Sequence, residues 1–247
     1  RLTGEEPADY GIDGPPVVDS LGQWSEKDWP GKTADAEELK HDLVRALEEA
    51  GDARFPSGWS RYGGWKQTRF DSTGFFHLDS TAGRWWLVDP AGFAFFSVGV
   101  DGVGPLHAGC PVDGIEPLFD WLPEMGGEFS ACWGESWGKA TFDFAGANLI
   151  RAFGDRWRDS WTDLSGARMR RWRFNTVGNW SDRLAVEGFG IPYVIPLRGF
   201  PATELTVFRD FPDVFDPEYR LRAERFAAQL EPYREDPLMI GYFLDNE

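Results

Sequence analysis

The sequence predicts an α/β protein: a (β/α)8 TIM barrel, of which this chain supplies about the first four strands, preceded by a small β-containing N-terminal region. Three observations carry that prediction. Strand-like runs ("FAFFSVGV", "FNTVGNW", "IPYVIPL", "LMIGYFL") alternate with helical runs, which is the order of parallel βαβ units. The runs are dense in apolar residues instead of alternating with polar ones, as strands covered on both faces are. No dinucleotide glycine fingerprint follows the first of them, because "GVDGVGP" has its glycines at the wrong spacing. That turns the reading from a nucleotide-binding sheet toward the barrel, whose active groups stand at the carboxyl ends of the strands.

The elements follow in order. Residues 1–32 are rich in Pro, Gly and acids and have no period, which reads as a surface-wrapping lead-in. Leu39, Leu43, Leu47 and Ala50 then recur at helical spacing, with acids early and Gly51 just past the end, giving one amphipathic packing helix. Short strands are expected between Trp59 and Gly83, including "GFFHL" at Gly74–Leu78. A hairpin follows, with arms Arg84–Val88 and Phe93–Val100 around an Asp89-Pro90-Ala91-Gly92 turn. Pro presets φ at the second turn position and Gly suits the fourth. Residues 1–90 are thus assigned to the N-terminal region and 91–247 to the barrel half.

From Asp101 to about Thr141 runs a long connection with Trp121, Trp133 and Trp137 among glycines, and loops of that length are more often functional than idle. A helical stretch from Asp143 to Arg173 is expected to break at Gly154 or Gly166. Strand "FNTVGNW", a helical Ser181–Gly188 and strand "IPYVIPL" come next. The helix in "DPEYRLRAERFAAQLEPYR" is expected to turn Leu221, Phe226 and Leu230 inward, and strand "LMIGYFL" closes the set.

Composition narrows the partners. A net charge of -16 argues against nucleic acid and anionic membranes, and against sulfated or carboxylated polymers unless a local basic groove receives them. A neutral oligo- or polysaccharide fits better. Aromatic content of 16%, with 13 Trp and 20 Phe, supplies mostly core, and leaves a minority of rings to stack on sugars. No apolar stretch is long enough to span a bilayer. His41, His77 and His107 are scattered, so neither a metal nor another cofactor is implied. Cys110 and Cys132 suit either one disulfide or two thiols. The start lacks both an initiator Met and a basic-then-apolar signal, which reads as a processed end; secretion or a periplasmic location follows if a signal peptide was removed.

In the barrel reading the strand tips fall at Asp101, at Asn179-Trp180, near Arg198, and at Asn246-Glu247. Singly, each has an ordinary structural explanation: a cap, a satisfied loop, a core ring, an ion pair. Four at one face argue for a site. Glu247 at the end of an apolar strand would have its charged form disfavoured by desolvation, which suits a general acid protonating a glycosidic oxygen. The neighbouring Asn246 carboxamide can donate to a sugar hydroxyl as oxocarbenium charge develops. Asp245 reads as a supporting residue.

An Asn-Glu pair ending a fourth barrel strand resembles the acid/base signature of clan A retaining glycoside hydrolases. Four segments are similar more specifically to glycoside hydrolase family 50, the β-agarases: "GRWWLVDPAGFAFFSVGVD", "FDFAGANLIRAFG", "RFNTVGNWSD" and "DPLMIGYFLDNE". The resemblance implies Glu247 as acid/base, Asn246 beside it, and Asn179 and Trp180 in the substrate cleft; Asp101 and Arg198 join the cleft from strand position. It implies cleavage of β-galactosidic linkages in a neutral polysaccharide such as agarose, with another clan A activity such as β-galactosidase, or a non-catalytic carbohydrate-binding barrel, as the alternatives. It also implies a β-sandwich before the barrel, for which the residues before Gly83 are too few unless reduced.

A retaining glycosidase needs a second carboxylate roughly 5–5.5 Å from the first. Four strands do not reach the seventh, where the family carries it, and a half barrel would leave two open edges. The natural polypeptide is therefore expected to continue through further βα units.

Overall fold

The computed structural model describes residues 14–106 and 108–245. The described residues pack as two compact units, one built from segments 14–49 and 105–161, the other from 50–104 and 162–245. In chain order the first segment carries helix α1 (Ala36–Glu48). The second carries strands β1 (Trp65–Arg69), β2 (His77–Thr81), β3 (Arg84–Val88), β4 (Phe93–Phe95) and β5 (Gly99–Val100). The third carries β6 (Cys110–Pro111), β7 (Trp133–Ser136), β8 (Lys139–Phe142) and α2 (Phe144–Phe153). Helix α3 (Trp157–Arg171) leads into the last segment, with β9 (Thr176–Val177), α4 (Arg183–Glu187), β10 (Tyr193–Pro196), β11 (Thr206–Phe208), β12 (Phe211–Pro212), α5 (Pro217–Ala227) and β13 (Met239–Phe243).

In the first unit, α1 starts where Asp35 accepts the Glu37 and Glu38 N–H groups, satisfying two donors that the helix leaves unpaired. Its half-buried leucine stripe packs against α2. The connection expected over 101–141 is partly ordered: β6, β8 and β7 pair in that order as an antiparallel sheet. Asp143 ends that sheet and begins α2, accepting Gly146 N–H at 2.8 Å and Ala108 N–H at 2.9 Å. Much of the aromatic excess is spent here as core. Phe142 is fully buried, with Phe144 at 4.9 Å and Trp121 at 5.6 Å between ring centroids. Both cysteines are free thiols, and burial pushes the Cys132 thiol up to about 11. Helix α2 stops at Gly154, whose φ of 55° suits glycine, and the other proposed break, Gly166, lies inside α3.

The second unit holds two sheets. An antiparallel one has the order β1-β4-β3-β2, and its β3–β4 hairpin turns on buried Asp89, which accepts the Ala91 and Phe93 N–H groups at 2.9 Å each. The single strand expected over Phe93–Val100 is in fact two. The chain leaves the antiparallel sheet after Phe95 and enters the parallel one at Gly99, so its unbroken apolarity reflects service to two sheets.

The parallel sheet has the order β13-β10-β9-β5, with every neighbouring pair parallel and in chain order. Consecutive, adjacent, parallel strands are how a singly wound α/β fold begins. Four strands do not close, and no closed barrel exists among the described residues. Central β9 and β10 are buried as expected, whereas the edges are not: Val98, Val100, Tyr242 and Phe243 are all exposed. The apolar composition of "FSVGV" and "YFL" predicted coverage on both sides, which a sheet edge lacks among the described residues.

Helix α5 also differs from expectation. Phe226 is buried, but Leu221 is half exposed. At about 100° per residue, the two side chains leave the helix roughly 140° apart, too far to share one inward stripe. Among the described residues no helix is long and apolar enough to cross a membrane.

Candidate active site

The carboxyl ends of β9, β10 and β13 surround a cleft of about 320 Å³ in the second unit. Asn179, Trp180 and Ser181 line it from β9, Leu197 and Arg198 from β10, and Phe243 and Asp245 from β13. The adjacent strand ends are held together by Leu197 N–H donating to Phe243 O at 2.9 Å. Of the residues expected at the site, Asn179, Trp180 and Arg198 therefore meet in one place. Asn246 and Glu247 lie outside the described residues.

The turn after β9 is fixed from below. Gly178 N–H donates to Val100 O and Gly102 N–H donates to Asn179 O, each at 2.8 Å. Ser181 Oγ accepts Val103 N–H at 3.0 Å and donates to Gly178 O at 2.9 Å. Asp101 Oδ1 accepts Asn179 N–H at 2.8 Å. The carboxylate thus grips the backbone of the turn and does not itself line the cleft, unlike the sugar-contacting place expected for it. Such close seating requires glycine at 178, where an added Cβ would strike Asp101 Oδ1 and lie 2.9 Å from Val100 O.

The clamp leaves two groups in unusual states. Asn179 is 4% exposed, and its Oδ1 is buried with no hydrogen-bond partner among the described residues, a costly condition that a hydroxyl donor would relieve. Trp180 is half exposed and sits at φ 56°, a region that bulky residues rarely occupy and that clusters at functional sites. An exposed indole face beside an unpaired buried acceptor suits a ring that is apolar on its face and hydroxylated at its edge.

Arg198 is anchored through its backbone. The Gln229 carboxamide brackets it, Oε1 accepting Arg198 N–H at 3.1 Å and Nε2 donating to Arg198 O at 3.0 Å. Tyr193, the first residue of β10, donates its hydroxyl to Asp236 at 2.6 Å, and burial with that bond holds its phenol well above the usual tyrosine range. Among the described residues no group of three His, Cys, Asp or Glu is placed to hold a metal ion.

Ser181, Leu197 and Phe243 were not anticipated as cleft residues. Ser181 follows Trp180 directly, and Leu197 and Phe243 lie beside expected positions, so proximity to a tip was the signal available.

No protein-family model matches the chain. Among characterised proteins it is 30% identical over 268 residues to beta-agarase B of Vibrio sp. (strain JT0107), covering 94% of this chain and 28% of that protein. Beta-agarase A of the same organism is 28% identical over 266 residues, covering 94% and 26%. The chain resembles the family 50 agarases. The solved structure of an agarase, AgWH50C, superposes with a TM-score of 0.80 at 26% identity, over 94% of this chain and 38% of that one. An exo-beta-agarase superposes with a TM-score of 0.75 at 25% identity, over 99% and 40%. The chain thus spans 28% of the length of the first relative and 38–40% of these solved chains.

Proposed function

We propose that the protein is a retaining glycoside hydrolase cleaving β-galactosidic linkages in a neutral polysaccharide such as agarose. The observation that carries the reading is the cleft at the ends of three parallel strands, where exposed Trp180 adjoins Asn179, whose Oδ1 has no partner among the described residues. Similarity to agarases over nearly the whole of this chain supports the substrate class. On this reading the parallel sheet is the first half of a (β/α)8 barrel, residues 1–90 precede it, and a sugar stacks on Trp180 while giving a hydroxyl hydrogen to Asn179. Arg198 and Asn246 contribute further polar contacts.

The chemistry assigned to Glu247 is proton donation to the glycosidic oxygen as the bond to the anomeric carbon breaks. A carboxylate outside these residues forms the glycosyl-enzyme intermediate. Glu247, now a base, then removes a proton from the water that hydrolyses it. Substrate selection among galactans belongs to the cleft lining and not to the scaffold.

Glu247→Gln tests the assignment. Agarose turnover should fall by about two to four orders of magnitude, with substrate binding largely retained; a substrate with a good leaving group should lose less in the first step. Near-normal turnover of unactivated agarose would overturn the role of Glu247. Wild-type protein that binds agaro-oligosaccharides without releasing products would instead favour a non-catalytic binding protein.

A further inference from the structure

Next to the cleft lies a second, shallower groove of about 400 Å³ whose lining includes three arginines: Arg198, Arg222 and Arg225. Among the described residues no acid lines it, in a chain whose net charge is -16. Arg198 lines both the groove and the cleft, so the two are continuous.

The three guanidiniums are held differently. Arg222 on α5 is fixed, one nitrogen donating to Ala202 O at 2.7 Å and the other to Glu218 at 2.6 Å. Arg225, one helical turn further on, has no carboxylate partner among the described residues, and neither has the Arg198 side chain. Beneath them Phe200 and Phe226 meet edge to face at 5.7 Å, giving the groove an apolar floor. The Gln229 bracket fixes the Arg198 backbone at the rim. Two planar forks that no carboxylate among the described residues pairs, over an apolar floor, match a tetrahedral oxyanion carried on a sugar ring.

We propose that this groove is a subsite for a sulfate monoester on the galactan chain, next to the neutral sugar in the cleft. The inference rests on the reading of the cleft as a galactan site and narrows its substrate class to chains that are neutral at the cleft and anionic one step away. The acidic surface repels a uniformly sulfated polymer, while the local positive groove accepts an isolated ester. Its contribution is electrostatic and partly exposed, so it weakens with salt while the contact with the neutral sugar does not.

Calorimetric binding in a Glu247→Gln background separates the claims, using a neutral agaro-oligosaccharide, the same oligosaccharide with one sulfate monoester, and one with a carboxylate acetal instead. At low ionic strength the sulfated ligand should bind about tenfold tighter than the neutral one, the scale of one charge-assisted contact. Raising the salt should shrink that advantage. Arg225→Gln should abolish the preference and leave neutral binding unchanged, and Arg225→Glu should reverse it. Equal affinity for sulfated and neutral ligands, a preference that survives Arg225→Gln, or a gain only with the carboxylate would overturn the proposal. Failure of the neutral oligosaccharide to bind at all would instead overturn the galactan reading of the cleft.

Discussion

The contact between Gly178 and Asp101 makes a sharp prediction, because one substitution should break a bond that it does not itself make. Gly178 lies outside the left-handed φ region, so its backbone would accept alanine. What forbids alanine is the neighbour: the new Cβ would strike Asp101 Oδ1 and sit 2.9 Å from Val100 O. The Val100 carbonyl is held in the sheet, so the carboxylate must move, and it loses the 2.8 Å bond from Asn179 N–H. Asp101→Ala removes the same bond directly, at about 1.5 kcal/mol, the low end for a charged acceptor because Asp101 is exposed. Gly178→Ala should cost that amount plus about 1–2 kcal/mol of overpacking against the carbonyl. The double variant loses the bond only once and gives the Cβ the space left by the carboxylate. It should therefore be no less stable than Gly178→Ala alone, a coupling of about 1.5 kcal/mol or more. Urea denaturation of the four proteins, followed by tryptophan fluorescence, measures the cycle. Additive losses within about 0.5 kcal/mol would refute the clamp.

Two further outcomes follow from the same unit. Trp180→Gly and Trp180→Ala should both weaken oligosaccharide binding by about tenfold through loss of the ring face. At φ 56° glycine carries no strain, so the Gly variant should be about 1 kcal/mol more stable than the Ala variant in urea, and equal stability would argue against strain at this turn. The Tyr193 phenol titrates above its unfolded value, so the unfolded chain releases that proton first and stability falls as pH rises beyond about 10. Tyr193→Phe should be less stable at neutral pH by about 1–3 kcal/mol, because Asp236 Oδ2 loses the hydroxyl while Oδ1 keeps the Leu238 N–H, and should lose less between pH 9 and 11 than the wild type; identical alkaline profiles would exclude Tyr193 as the titrating group.

Local signals decided much of this protein. The helix capped by Asp35, the Asp89-Pro90-Ala91-Gly92 turn, the break at Gly154 and the chain order of the four parallel strands all follow from short-range chemistry: caps, turn dihedrals and apolar periodicity, which act within a few residues. Those strands in turn located Asn179, Trp180 and Arg198 at one face, since a strand's end is fixed once its run is known. Tertiary structure alone decided what each group does there. Whether an apolar run lies at a sheet's centre or edge depends on its neighbours, so Ile195 is buried while Val100 and Phe243 are exposed. The split of Phe93–Val100 between two sheets is likewise invisible in an unbroken apolar run. Asp101 reads from sequence as a cleft residue, yet its carboxylate is spent on a backbone N–H of residue 179, 78 positions away in the chain. The arginines of the groove come from residues 198, 222 and 225, and only packing α5 beside the end of β10 brings them together. Short-range chemistry sets conformation residue by residue, whereas burial, hydrogen-bond pairing and local field depend on groups distant in sequence, and these last determine the site.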